Sequence, residues 1–123
     1  MPWDLDNDRP IYLQLMERIQ QDIIAGVYKP GDKLPSVRDL AVEAAVNPNT
    51  MQKALAELER ENLVHSARTS GRFITEDTAM IEKMREELAT AQIREFFEKM
   101  QQMGFDSQKT IQLIEKMMKE GKS

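Results

Sequence analysis

The sequence predicts a mainly α-helical chain with a small β wing, a winged helix-turn-helix followed by a short C-terminal two-helix dimerisation element. Three observations predict it. Residues 30–75 read as a short helix, a tight turn, a second helix and two short strands around a Gly, the layout of a winged helix-turn-helix. Ahead of them Ile11, Leu15, Ile19 and Ile23 recur at helical spacing. Beyond Asp77 two further apolar stretches are separated by Gly104. The expected organisation is residues 1–76 as a DNA-binding domain and residues 77–123 as the dimerisation region.

Each element has its own local warrant. Residues 11–25 form the first helix, with Tyr12, Met16 and Ile24 beside the main apolar row, Pro10 suited to its first position and Gly26 to its stop. Pro30-Gly31 marks a turn. Ser36 opens the second helix as a cap, with Asp39 three residues on as a weak capping box, and Val37, Leu40, Ala41 and Ala44 as the buried face. After Ala45-Val46, Asn47 caps a third helix with Pro48 at its first position. Met51, Leu55 and Leu58 then point inward, leaving Asn49, Gln52, Lys53, Ala56 and Arg60 outward. Amides and a cation on the exposed first turns suit base edges and phosphates.

Leu63-Val64-His65 and Arg72-Phe73-Ile74 read as strands around Arg68-Thr69-Ser70-Gly71. Gly71 supplies the positive φ of a hairpin tip, and Arg68 and Arg72 provide the cations that a wing on a phosphate backbone requires. His65 is expected as a half-buried strand residue. In the tail, Ile81, Met84, Leu88 and Ala91 form one apolar row, and Ile93, Phe96, Phe97, Met100 and Met103 a second, shifted one. Gly104 ends that helix and Asp106 caps another, striped by Ile111, Ile114 and Met117. Two helices have too little core of their own, so Leu88, Phe96, Phe97 and Met100 are expected at the interface of a homodimer.

Composition narrows the function classes. The chain has 123 residues, 41% apolar, with no Cys and one His. Disulfides, thiolate metal sites and imidazole clusters are therefore excluded, and no metal or cofactor is expected. No apolar run approaches the roughly 18 residues of a membrane span, and the acidic N-terminus does not read as a secretory signal. A cytoplasmic protein is expected. The net charge of −4 runs against nucleic-acid binding, which phosphate contacts dominate. Over residues 29–72, however, seven basic residues (Lys29, Lys33, Arg38, Lys53, Arg60, Arg68, Arg72) face six acidic ones (Asp32, Asp39, Glu43, Glu57, Glu59, Glu61), and distribution matters more than the sum.

The run PGDKLPSVRDLA at residues 30–41 resembles the signature of the GntR family of bacterial transcription regulators. The run VNPNTMQKAL at residues 46–55, followed by ELERE at residues 57–61, is similar to the family's recognition helix. Pro10-Ile11-Tyr12, the VNPNT turn and the two-helix tail resemble its short YtrA subgroup in particular. The resemblance implies DNA contacts from Arg38, Asn49, Thr50, Gln52, Lys53 and Gly71, with a phosphate contact from Ser36. It implies a homodimeric repressor on a palindromic double-stranded DNA operator, often of an ABC transporter operon. The large effector domain of longer relatives has no counterpart, so no small-molecule effector is expected.

Two positions depart from the family pattern. Ala45 stands where the turn usually has Gly, so a left-handed backbone there would cost on the order of 1–2 kcal/mol, unless the turn differs. Arg72 stands where the wing usually has Thr, which is expected to add a cation at the tip and strengthen phosphate contact. An enzyme is the weakest class: the sequence has no nucleophile beside a base, no phosphate-cradling Gly-rich loop and no liganding cluster. The rival is a winged helix used as a protein-interaction module, which the acidic balance would favour.

Overall fold

In a computed structural model, which describes residues 3–121, seven elements follow in the order expected: α1 (Ile11–Ile24), α2 (Val37–Ala44), α3 (Pro48–Arg60), β1 (Val64–Ala67), β2 (Gly71–Ile74), α4 (Thr78–Gln102) and α5 (Ser107–Lys119). Met1, Pro2, Lys122 and Ser123, the outer ends of the two expected regions, lie outside the described residues. The described chain falls into two compact units divided between Met84 and Arg85.

The first unit is built on α3. Met51, Ala54, Leu55 and Leu58 are fully buried along one face, and α3 packs against α1, α2 and β1. Leu15, Ile19 and Ile23 fill the core from α1, and Leu40, Ala41 and Ala44 fill it from α2. Ile11, Tyr12, Ile24 and Val37 pack at its margin. Pro10 is the residue before α1 (φ −53°, ψ 131°) and not its first helical residue. The first turns of α4 belong to this unit as well: Ile81 is buried, and Met80 and Met84 pack against the core. The winged-helix core therefore reaches past residue 76.

The ends of α1, α2, α3 and α4 use the same closure, in which the two residues after the last turn donate back to carbonyls of that turn. After α2, the Ala45 N–H donates to the Val42 carbonyl at 3.2 Å and the Val46 N–H to the Ala41 carbonyl at 3.0 Å. Ala45 is left-handed there, at φ 60° and ψ 48°. The turn thus keeps the geometry a Gly would favour, with Ala carrying the strain. After α3, Asn62 takes φ 67°, and the Leu63 N–H donates to the Leu58 carbonyl at 3.1 Å. Asn tolerates this conformation better than Ala. The N-termini are capped as expected: Ser36 Oγ accepts from the Asp39 N–H at 3.0 Å, and Asn47 Oδ1 from the Asn49 N–H at 2.7 Å.

The hairpin pairs Val64 with Ile74 and Ala67 with Gly71. β1 extends two residues further than expected from the sequence, and Leu63 lies before it. His65 is exposed, stacked against Phe73 with ring centroids 6.0 Å apart, and not half-buried. The segment before α2 lies along β2: Lys33 bridges Phe73, and the Leu34 N–H donates to the Arg72 carbonyl at 2.9 Å. This ties the wing to the entry of α2.

The N-terminal arm, read from the sequence only as acidic, is a structural strap. Trp3 is buried, its indole N–H donates to Glu43 Oε2 at 2.9 Å, and the Arg18 guanidinium lies 4.6 Å from its ring centroid. Buried Gln14 donates to the Asp6 and Arg9 carbonyls and accepts from the Asp6 N–H. The arm thereby joins α1 to α2. Nearby, burial together with the Glu43 and Asp22 carboxylates pushes the Tyr28 phenol above its usual range.

The second unit holds the rest of α4 and α5. Its α4 closes as the others do, with Gly104 at φ 90° and the Phe105 N–H donating to the Met100 carbonyl at 3.0 Å. Asp106 caps α5, accepting from the Lys109 N–H at 2.8 Å.

Because Ala45 holds the left-handed position, Ala45→Gly should stabilise the protein. The expected gain is about 1 kcal/mol, less than the full strain because Gly also loosens the unfolded chain. Urea unfolding at unchanged m-value should show a higher midpoint.

Candidate nucleic-acid interface

Burying Met51, Ala54, Leu55 and Leu58 forces the opposite face of α3 into solvent. Asn49, Gln52, Lys53, Ala56 and Arg60 are exposed there, and Thr50 is half-buried at its edge. Pro48 and the Asn47 cap start the helix abruptly, and Asn47 takes up the amides of its first turn, its Oδ1 accepting from the Asn49 N–H and its carbonyl from the Thr50 and Met51 N–H groups. The exposed first turns carry no carboxylate before Glu57.

A groove runs between the start of α2 and the wing, lined among others by Lys33, Ser36, Thr69, Ser70 and Gly71. Ser36 uses its oxygen as the α2 cap, which leaves its hydroxyl proton able to donate. Asp39 and Arg72 line the same groove, so it brings an acid as well as cations and hydroxyls to the partial positive charge of the α2 N-terminus. Arg38 and Arg68 are exposed and form no ion pair among the described residues. Gly71 has φ 102°, and a Cβ there would lie 3.1 Å from Lys33 Cε. Its missing side chain thus serves both the turn and the close passage of Lys33.

Three cations are held by the protein itself. Arg72 lies in the second strand as expected, opposite Ser66, but the cation expected to strengthen phosphate contact has its Nε 3.4 Å from Glu59 Oε1 and its side chain only 20% exposed. The reason is local: the outer edge of α3 brings a carboxylate within reach of β2. Lys53 Nζ lies 4.0 Å from the centroid of the Tyr12 ring, a cation–π contact. Arg60 pairs with Glu57 at 2.7 Å. Sequence reasoning missed Glu59 and Tyr12 as partners, because each contact joins elements distant in sequence and leaves no periodic signal.

The expected dimerisation residues all lie on α4 in the second unit. Leu88, Phe97 and Met100 are half-buried and Phe96 is exposed, with the Phe96 and Phe97 rings 5.8 Å apart. Ile93, Met103, Ile111, Leu113, Ile114, Met117 and Met118 are exposed as well.

The family described as "Bacterial regulatory proteins, gntR family" matches residues 11–74, from the start of α1 to the end of β2. The chain belongs to the GntR family. It is 33% identical to the uncharacterized HTH-type transcriptional regulator YhcF of Bacillus subtilis, over 88% of this chain and 89% of that one. It is 43% identical to the HTH-type transcriptional repressor YtrA of the same organism, over 64% of this chain and 62% of YtrA. Among solved structures, a GntR family transcriptional regulator from Listeria monocytogenes matches with TM-score 0.81 and 38% identity, over 91% of this chain and 98% of that one. The DNA-binding domain of AraR in complex with operator ORX1 matches with TM-score 0.53 and 28% identity, over 61% of this chain and 92% of that one. This GntR protein is thus a DNA-binding transcription regulator. Among the described residues, no helix is long and apolar enough to cross a membrane.

The geometry at Gly71 makes a direct prediction. Gly71→Ala should cost on the order of 1–2 kcal/mol from the positive φ alone, and Lys33 must also shift. A thermal melt that leaves Tm unchanged would mean that the hairpin tip differs from the one described.

Proposed function

We propose that this GntR regulator is a cytoplasmic homodimeric repressor that binds a palindromic operator, reading bases with α3 and gripping phosphates with the wing and the start of α2. The observation that carries this reading is the composition of the solvent face of α3, with amide, hydroxyl and cation side chains over its first turns and no acid before Glu57. Gln52, Asn49 and Thr50 are the base readers. Arg38 reaches a base or a phosphate. Lys53, Ser36, Arg68 and Gly71 meet the backbone. A repressor role is supported by the likeness to YtrA, a repressor by name. An ABC transporter operon as the target rests on the resemblance to the YtrA subgroup alone.

Homodimerisation is supported by the apolar side chains that the second unit leaves in solvent, Phe96 at 42% and Ile93 at 54% exposure among them. Apolar patches of this kind mark interfaces, and a two-fold pair covers the same face twice. Two recognition helices related by such an axis would match a palindromic site.

Two experiments test the reading. In the first, the protein selects duplexes from a random pool, and Gln52→Ala is measured against the selected sequence. Affinity should fall by roughly 1–3 kcal/mol and base preference should relax at one position per half-site. Unchanged affinity and preference would remove α3 from the groove. In the second, light scattering at micromolar concentration should give a dimer mass for the parent. It should give a monomer mass for a variant carrying Phe96→Glu and Phe97→Glu. A monomeric parent would overturn the dimer.

A further inference from the structure

We propose that Glu59 is a specificity-determining residue: by holding Arg72, it clamps the wing to the recognition helix and keeps that cation off the DNA backbone. The proposal rests on the reading of α3 and the wing as the DNA-binding surface. It assigns Arg72 a positioning role in place of the phosphate contact expected from the sequence.

One carboxylate oxygen does the clamping. Glu59 Oε1 accepts from Arg72 Nε at 3.4 Å and from Ser66 Oγ at 3.0 Å. Ser66 and Arg72 stand opposite each other in the ladder, so a single side chain near the end of α3 holds both strands of the wing. The pair is partly shielded, with side chains 20% and 37% exposed. Gln52, Ala56, Glu59 and Arg60 line one shallow groove with Ser66 and Arg72. Gln52, Ala56 and Glu59 follow at i, i+4 and i+7, so the clamp lies on the same strip of α3 as the proposed base reader.

The electrostatic consequence follows from ion exchange. A free cation that meets a phosphate releases a counterion, and that release drives sequence-independent binding. Arg72 already has an anion, so moving it to a phosphate replaces one ion pair with another. It would also leave Glu59 uncompensated beside the DNA. Lys33, Arg38 and Arg68, which form no ion pair among the described residues, and Lys53, held only by the neutral Tyr12 ring, are left to supply the backbone attraction. The clamp therefore withholds one charge from nonspecific binding and fixes the distance between the wing and Gln52.

The test compares the parent with Glu59→Gln, Arg72→Gln, the double variant and Ser66→Ala. Binding to the duplex selected from the random pool and to a scrambled duplex of equal length is measured across salt concentrations, after thermal melts confirm folding. Glu59→Gln should free Arg72, steepening the log K against log salt slope by up to about 0.9 per subunit and tightening binding to the scrambled duplex. Arg72→Gln should leave the slope unchanged while the ratio of selected to scrambled affinity falls roughly two- to fivefold, the worth of one exposed ion pair. The double variant should lose as much discrimination as Arg72→Gln alone while binding both duplexes more tightly than it, since no unpaired carboxylate remains, and Ser66→Ala should shift the ratio in the same direction by less.

If Arg72→Gln flattens the slope by about 0.9 per subunit and Glu59→Gln leaves it unchanged, Arg72 is an ordinary phosphate contact and the clamp is wrong. A parent that binds both duplexes with equal affinity overturns the DNA-reading surface itself, and the clamp with it. A parent that discriminates, with additive effects of the two substitutions, overturns the clamp alone.

Discussion

Met51, Ala54, Leu55 and Leu58 leave α3 no rotational freedom, since turning the helix by even one position would expose a side chain the core has enclosed. Truncating such a residue, as in Leu55→Ala, typically costs about 2–5 kcal/mol, a large share of the stability of a small domain. That burial also fixes the opposite face. The exposure of Gln52 and Asn49 therefore follows from the packing of their neighbours, and not from any interaction of their own. The helix proposed to read DNA is also the helix that organises the core.

The joints around α3 follow from the same constraint. With the helix axis set by burial, the chain must enter and leave it at steep angles over very few residues. Asn47 and Pro48 make the entry, Asn62 makes the exit, and Ala45 absorbs the strain of the turn from α2. A further support is remote. Trp3 and Gln14 bind the N-terminal arm onto α1, and the Trp3–Glu43 hydrogen bond carries that attachment to α2. The helix-turn-helix is thus braced by the N-terminal arm as well as by its own core.

What the sequence made legible was whatever is written locally. Caps at Ser36, Asn47 and Asp106, the stops at Gly26 and Gly104, and the inward spacing of Met51, Leu55 and Leu58 all depend on neighbours within a turn of helix. The contacts that escaped detection join residues far apart in the chain: Trp3 with Glu43, Lys53 with Tyr12, Glu59 with Arg72, Lys33 with Phe73. None has a period or a motif. The exposed side chains of α3 were legible as a face because burial defines faces. The electrical state of Arg72 was not, because it depends on a carboxylate thirteen positions away in sequence. Ile81 shows the same limit from the apolar side, since its spacing matched the tail while its packing joins it to the first unit's core.

The strap at the N-terminus has a practical consequence. Trp3 is the chain's single tryptophan, and it sits against a guanidinium and donates its indole proton to a carboxylate. Its emission colour and quenching therefore report on the integrity of one unit and are blind to the other, which holds no tryptophan or tyrosine. Fluorescence and hydrodynamic size, followed side by side in one denaturant titration, would separate the melting of the first unit from changes in the second.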